Sequence, residues 1–200
     1  MLRLVLLGDS IAHGTGASRP ADALGPRLVA ALAAGGVEAE LRVVAVPGAR
    51  SAGLAAQVRR AVPWRPDLAV VVIGANDLTH LVPPDAAAAD LQAAVRALRA
   101  AGADVVLAPA PDLSAVPHVP PAMKALVAAG SRALRQAQVR VTVREGGRVA
   151  DVDAATSAAF ASRPGLFAAD RFHPSSAGYA VIAAALAPAV AAAVEQRRAA

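Results

Sequence analysis

The chain has 200 residues, 56% of them hydrophobic, which suffices for one domain with a continuous core. It contains no cysteine, which excludes disulfides and thiolate metal sites and favours an intracellular protein. The net charge of +5 would suit an anionic partner, but the arginines are spread over several predicted helices and only 2% of the residues are aromatic. The composition therefore predicts a single domain over residues 1–200 that does not bind nucleic acid.

Two apolar runs raise the question of a leader peptide or a membrane span. Residues 1–8 are too short for the core of a signal peptide and lack a small-residue cleavage site, so we expect a buried strand and a cytoplasmic protein. Residues 177–194 are uncharged over the length of a membrane span, but they are mostly alanine. Their larger side chains recur at helical spacing, at Tyr179, Ile182, Leu186 and Val190. This pattern predicts a buried C-terminal helix and no integral membrane segment.

Strand and helix patterns alternate along the chain. Short apolar runs predict five strands, at residues 2–7, 41–46, 68–73, 105–108 and 148–152. Apolar periodicity with flanking glycine and proline predicts the intervening helices, at residues 24–34, 51–62, 84–101 and a long helix that ends near 145. Such alternation is typical of βαβ units. We therefore predict an α/β fold, a flavodoxin-like three-layer α/β/α sandwich with a five-stranded parallel sheet.

Polar residues follow the predicted strands. Gly8-Asp9-Ser10 comes after the first strand, Pro47-Gly48 after the second, and Gly74-Ala75-Asn76-Asp77 after the third. Asp170-Arg171-Phe172-His173 lies between the fifth strand and the last helix. Because ligands bind beyond the carboxyl ends of parallel strands, we expect all four segments to meet at one edge. Together they offer the hydroxyl, imidazole, carboxylate and oxyanion donors that acyl transfer needs.

Three of these segments also have a simpler structural interpretation. Gly8-Asp9-Ser10 could be an ordinary turn, and Asn76-Asp77 could cap the helix that follows. Asp170 with Ser175 could cap the last helix. We assign Asp9 and Asp77 to local hydrogen bonds within their turns.

In order and spacing, the four segments resemble the motif blocks of the SGNH hydrolases, also called the GDSL lipase/esterase family, over nearly the whole chain. The resemblance implies that Ser10 is the nucleophile, that His173 is its general base and that Asp170 orients this base. It also implies an oxyanion hole made by the N–H groups of Ser10 and Gly48 and the side-chain amide of Asn76.

The resemblance implies a carboxylic ester hydrolase that acts through an acyl-enzyme on a small-molecule or lipid ester, without a metal ion or cofactor. An acyltransferase or deacetylase that uses the same site on a sugar or lipid, and a non-catalytic binding domain, are the alternatives. The second block departs from the family pattern, because Val44-Ala45-Val46-Pro47 stands where an asparagine commonly precedes the glycine.

Aromatic residues and the remaining histidines supply candidate substrate contacts. Three phenylalanines lie in the segment that ends at His173, namely Phe160, Phe167 and Phe172. They either form an apolar wall beside the nucleophile or anchor a long loop. The other histidines are expected in loops at the same edge, at His13, His80 and His118. From these two groups we expect His80, Phe167 and Phe172 to contact the substrate.

Overall fold

The five strands form one parallel sheet in the order β2-β1-β3-β4-β5, which confirms the flavodoxin-like prediction. The computed structural model describes residues 1–199, without the side chains of residues 153–155, so the last residue of the predicted domain lies outside the described residues. The strands are β1 Leu2–Gly8, β2 Ala39–Val43, β3 Leu68–Val72, β4 Asp104–Ala108 and β5 Arg148–Val149.

Helices connect the strands and follow the last one. They are α1 Ser10–His13, α2 Leu24–Ala34, α3 Leu54–Ala61, α4 Ala75–Thr79, α5 Pro84–Ala100, α6 Lys124–Arg144, α7 Val152–Ser162 and α8 Ser176–Ala199. The predicted helix at residues 51–62 is a 3₁₀ turn, Ser51–Gly53, followed by α3.

Side chains of β1 alternate between the two faces of the sheet, as the pleat requires. Leu4 and Leu6 pack with residues of α2 and α8 in one apolar cluster, whereas Val5 and Leu7 pack with residues of α3 and α5 in another. All four side chains are fully buried. The single domain therefore has the predicted three layers, with the core divided between the two faces of the sheet.

Three strands end earlier than their apolar patterns predict, and β3 stops one residue short, at Val72. The fifth stops at Val149 because it pairs with β4 at only two positions and the chain then turns into α7, a helix that the sequence did not predict. β2 ends at Val43, although the N–H groups of Val44 and Val46 still donate to the carbonyl oxygens of Leu6 and Gly8. The segment before Gly48 therefore still runs beside β1.

Helix α8 has the length and apolar composition of a membrane span, but 44% of its most apolar 18-residue stretch is buried inside the protein. The predicted stripe faces the core, since each of its four large side chains is buried: Tyr179, Ile182, Leu186 and Val190. At its start, the hydroxyl of Ser175 accepts a hydrogen bond from the N–H of Gly178 at 3.2 Å, which confirms one predicted cap. The helix packs on α2 and β4 as a core helix.

Candidate active site

Ser10, His173 and Asp170 form a chain of hydrogen bonds at the carboxyl edge of the sheet. The hydroxyl oxygen of Ser10 lies 3.0 Å from Nε2 of His173, although the two residues are 163 positions apart. Nδ1 of His173 lies 2.6 Å from Oδ2 of Asp170. Because a carboxylate only accepts, this contact places the ring proton on Nδ1 and leaves Nε2 to accept the hydroxyl proton of Ser10.

A tight turn holds Asp170 and His173 in this arrangement. Phe167 pairs with Pro174 across the base of the turn, and the N–H of Ala168 donates to the carbonyl oxygen of His173 at 2.8 Å. Oδ1 of Asp170 accepts the N–H groups of Phe172 and His173 at 2.9 and 3.0 Å. These bonds, with the imidazole contact as the largest cause, lower the pKa of Asp170 to about 2. Asp170 therefore stays ionised at neutral pH.

The segment that carries Ser10 is fixed from both sides. The side chain of Gln57 accepts the N–H of Gly8 at 2.7 Å and donates to the carbonyl oxygen of the same residue at 2.8 Å. The hydroxyl of Tyr179, which is fully buried, donates to the carbonyl oxygen of Thr15 at 2.8 Å. Ser10 itself is only 6% exposed, so its hydroxyl is held in place at the end of β1.

Gly16 brings the loop after α1 against the turn that carries His173. Its φ of +94° lies in the left-handed region, and a Cβ at this position would stand 2.5 Å from the carbonyl oxygen of Pro174 and 3.0 Å from Cβ of His173. Only glycine allows this close approach. The packing therefore fixes the distance between the segments that carry Ser10 and His173.

Asp9 is a buried carboxyl group directly before the nucleophile. As predicted, it makes a local hydrogen bond, since Oδ1 accepts the N–H of Ile11 at 2.9 Å and so caps α1. Its side chain is 1% exposed, and Oδ2 is a buried oxygen without a hydrogen-bond partner among the described residues. Burial, strengthened by the nearby Asp77 carboxylate, raises the pKa of Asp9 to about 7. We therefore expect Asp9 to change charge near neutral pH, and it interacts electrostatically with His173.

Gly48 and Asn76 follow β2 and β3, the two strands that lie beside β1. Gly48 has φ +79°, which favours glycine, and a Cβ built there would meet nothing within 4 Å, so the space beside it is open. The side-chain nitrogen of Asn76 donates to the carbonyl oxygen of Ala49 at 3.1 Å. Because an amide has two N–H groups, this bond anchors the side chain and leaves a second donor.

The assignment of Asp77 to local hydrogen bonds within its turn was wrong. Its carboxylate accepts the N–H of Ser51 at 3.0 and 3.1 Å and the hydroxyl of Ser51 at 2.9 Å. Both residues are buried. The bonds connect the segment after β2 with the segment after β3, which carry Gly48 and Asn76.

A cavity of about 310 Å³ opens beside Ser10 and His173. It extends under the segments that follow β4 and β5, between α6 and α7. All three phenylalanines line it: Phe160, Phe167 and Phe172. Phe160 and Phe167 also contact each other edge to face, with ring centres 5.1 Å apart. The aromatic segment therefore anchors the turn and borders the cavity at once.

The remaining histidines lie elsewhere. His80 lies outside the cavity, where Nδ1 is 2.8 Å from the carbonyl oxygen of Asn76 at the end of α4. His118 lies in the predicted loop, but His13 is the last residue of α1, so its assignment to a loop was wrong. Among the described residues, no group of three or more His, Asp or Glu side chains is placed to hold a metal ion.

The sequence pattern of the GDSL-like lipase/acylhydrolase family matches residues 6–181, a range that contains every residue of this site. The chain belongs to that family. It is 35% identical over 186 residues to the GDSL-like esterase Rv1075c of Mycobacterium tuberculosis. The match covers 91% of this chain and 59% of that relative, so the chain spans less than two thirds of its length.

Solved structures share the fold of this GDSL-like chain at low sequence identity. TesA superposes with a TM-score of 0.78 at 22% identity, covering 96% of this chain and 99% of TesA. A mutant of Axe2, an acetylxylan esterase from Geobacillus stearothermophilus, superposes with a TM-score of 0.76 at 19% identity and covers 94% of both chains. At these identities the likeness establishes the fold.

Two buried glutamines support the GDSL-like site, and neither was predicted from the sequence. Gln57 holds the end of β1, and Gln138 joins the ends of β3 and β4 by accepting the N–H of Ala110 at 2.8 Å and donating to the carbonyl oxygen of Ile73 at 3.0 Å. A signal was present, because Gln57 stands among the core-facing residues of α3, namely Leu54, Val58 and Ala61. A polar side chain on an apolar stripe indicates a buried hydrogen-bonding role.

Proposed function

We propose that the chain is a carboxylic ester hydrolase in which Ser10 is the nucleophile, His173 the general base and Asp170 the residue that orients it. The observation that carries the proposal is the continuous chain of hydrogen bonds from Asp170 through His173 to the Ser10 hydroxyl, at 2.6 and 3.0 Å. Such a chain activates a hydroxyl that is otherwise a weak nucleophile. The name of the relative Rv1075c, a GDSL-like esterase, supports the same reaction.

In the first half-reaction, Nε2 of His173 removes the proton of Ser10 while the hydroxyl oxygen bonds to the ester carbonyl carbon. The carbonyl oxygen becomes negative in the resulting tetrahedral intermediate. Donors for this oxygen are the N–H groups of Ser10 and Gly48 and the side-chain amide of Asn76, whose bond to Ala49 holds it in place. When the bond to the alcohol oxygen breaks, His173 gives its proton to the departing alcohol.

In the second half-reaction, water attacks the carbonyl carbon of the acyl-enzyme and transfers its proton to Nε2 of His173. The bond to the Ser10 oxygen then breaks, and His173 returns the proton to that oxygen, which releases the acid. The ring of His173 is positively charged in both intermediates. Asp170, whose pKa is lowered to about 2, remains an anion throughout and stabilises this positive charge.

A serine-reactive phosphonate tests the proposal directly. We expect it to abolish hydrolysis of p-nitrophenyl esters by the wild-type protein and to modify Ser10, as located by peptide mass spectrometry. Ser10→Ala should neither react nor hydrolyse, whereas the control Ser162→Ala, at an exposed serine on α7, should do both. Undiminished hydrolysis by Ser10→Ala would overturn the proposal.

A further inference from the structure

Leu81 is an exposed leucine in a strained backbone conformation, just after the helix that carries Asn76. It is 88% exposed and has φ +53°. Its N–H donates to the carbonyl oxygen of Leu78 at 3.1 Å, and the N–H of Val82 donates to that of Asp77 at 2.9 Å. This bond pattern ends a helix at a position where glycine is usual. An apolar side chain held in water there indicates a role outside the folded chain.

Two more apolar side chains are exposed at the start of α6, beside the end of α4. Met123 is 45% exposed and Leu126 is 65% exposed. The two helices meet where a Cβ on Gly130 would lie 4.0 Å from Cδ2 of Leu78. Leu126 stands one turn before Gly130 and Leu81 three residues after Leu78, so both flank this contact. The three exposed side chains do not line the cavity beside the nucleophile.

An apolar cluster connects these exposed side chains to the candidate active site. Leu78 of α4 and Val127 of α6 belong to one cluster with Leu113 and Phe172. Leu113 and Phe172 also line the cavity, and Phe172 directly precedes His173. The exposed side chains therefore lie at the carboxyl edge of the sheet, on the same side of the molecule as the catalytic groups.

Backbone strain is concentrated at the same edge. Among the described residues, three residues other than glycine have positive φ. Two of them are exposed and lie at this edge, namely Leu81 and Arg171, which has φ +56° and stands between Asp170 and His173. The third, Arg65, precedes β3 at the opposite edge. Strain of this kind persists where function depends on it, so its location supports a role for both exposed side chains.

The free charges around these side chains are basic. Lys124 and Arg171 are both exposed, and Lys124 directly follows Met123. The exposed carboxylates in the same segments already face cationic partners or the imidazole, since Asp85 lies 3.7 Å from Arg140 and Asp170 bonds to the ring of the catalytic histidine. The surface therefore combines protruding apolar side chains with positive charge.

We infer that Leu81, Met123 and Leu126, together with Lys124 and Arg171, form a surface that docks the protein on an anionic lipid bilayer. A bilayer accepts separate protruding apolar side chains between its headgroups, and its anionic lipids attract flanking lysine and arginine. A protein partner requires a continuous complementary face instead. Docking in this orientation turns the mouth of the candidate active site toward the lipid and needs no membrane-spanning segment.

Co-sedimentation with vesicles of equal parts phosphatidylcholine and phosphatidylglycerol measures the docking, with Ser10→Ala as the parent protein so that the lipid is not hydrolysed. Adding Leu81→Asn or Leu126→Ser should lower the partition coefficient about tenfold, because each removes one apolar side chain from the bilayer. Adding Lys124→Gln should lower it about fivefold on these vesicles and hardly at all on pure phosphatidylcholine. Val143→Ser, at a residue that is 60% exposed at the other end of α6, is the matched control and should bind like the parent.

Two measurements separate lost docking from a damaged fold. Asparagine tolerates the left-handed conformation, so Leu81→Asn should keep a melting temperature at or above that of its parent. With Ser10 restored, Leu126→Ser should hydrolyse soluble p-nitrophenyl acetate at the wild-type rate, because Leu126 does not line the cavity.

The outcomes are distinct. No binding to the anionic vesicles, or equal losses in Leu126→Ser and Val143→Ser, would overturn the docking surface. If the exposed side chains contact a second copy of the chain instead, the protein should sediment as a dimer that Leu126→Ser separates and should not bind vesicles, which also overturns the inference. Because binding is measured without Ser10, it is independent of the proposed function, whose failure appears separately as absent phosphonate labelling at Ser10.

Discussion

The carboxylate of Asp77 accepts hydrogen bonds from both the N–H and the hydroxyl of Ser51, at 3.0 and 2.9 Å. Ser51 lies three residues after Gly48, and Asp77 directly follows Asn76. The pair therefore fixes the relative positions of two proposed oxyanion donors without itself facing the cavity.

We expect Ser51→Ala to lower kcat about tenfold with little change in KM, because a loosened Gly48 segment weakens binding of the transition state more than binding of the ester. Steady-state kinetics on a soluble p-nitrophenyl ester measures kcat and KM separately. Ser51→Thr, which keeps the hydroxyl, should recover part of the loss. An equal change in kcat for Ser51→Ala and for the exposed control Ser162→Ala would argue against a positioning role.

Asn76→Ala should lower kcat by on the order of 10²–10³, the usual effect of losing one oxyanion donor. The side chain of Asn76 is only partly buried and donates to the carbonyl oxygen of Ala49, so the melting temperature should change little. The phosphonate should still label Ser10 in this variant, although slowly, because proton transfer to His173 does not involve Asn76. Activity that is lost only together with the fold would remove Asn76 from the oxyanion hole.

Asp170→Asn should keep the turn folded but lower kcat by up to about 10⁴, because an amide favours the wrong ring tautomer of His173 and cannot stabilise its cation. The pKa of Asp170, lowered to about 2, predicts that this carboxyl group does not titrate between pH 4 and 8. Any loss of activity of the wild-type protein between pH 4 and 8 therefore results from the titration of other groups. A kcat for Asp170→Asn within a factor of about two of the wild-type value would exclude the orienting role.

Much of the fold could be predicted from apolar periodicity alone. The bounds of α2 match the prediction residue for residue, because leucines on one helical face and a glycine pair after the helix mark it clearly. The limits of β5 could not be predicted, since the periodicity of a short apolar run does not distinguish a buried strand from a segment of a buried helix. Pairing with β4 stops at Val149, and α7 takes the remaining residues.

The residues of the candidate site could be predicted because parallel strands bring their carboxyl ends to one edge. Ser10, Asn76 and His173 are placed there as expected, and their catalytic roles remain proposals. The residues that hold these segments in place could not be predicted, because Gln57 and Asp77 form hydrogen bonds with partners far away in the sequence. Only the packing of α3 and α4 against the sheet shows which backbone groups these side chains reach.

Asp9 makes stability depend on pH. Burial raises its pKa from 3.8 to about 7, so between these values the folded protein holds a proton that the unfolded chain has lost. The contribution of Asp9 to the free energy of unfolding is therefore greatest below its unfolded pKa. It should fall by about 1.4 kcal/mol per pH unit as the pH rises through this window and become constant above the folded pKa.

Asp9→Asn tests this dependence, because the amide keeps the shape and an oxygen that can accept the N–H of Ile11, but carries no charge at any pH. Denaturant unfolding of the wild-type protein between pH 4.5 and 8.5 should show the slope, and the variant should lack it. The variant should consequently be more stable than the wild-type protein at the alkaline end of the range, where the buried carboxyl is ionised and Oδ2 has no hydrogen-bond partner in the part of the chain that the structure describes. Asp90→Asn, at an exposed carboxylate on α5, is the matched control and should retain the wild-type slope. If Asp9→Asn retains that slope as well, the titrating group lies elsewhere and Asp9 is not the buried acid that the geometry indicates.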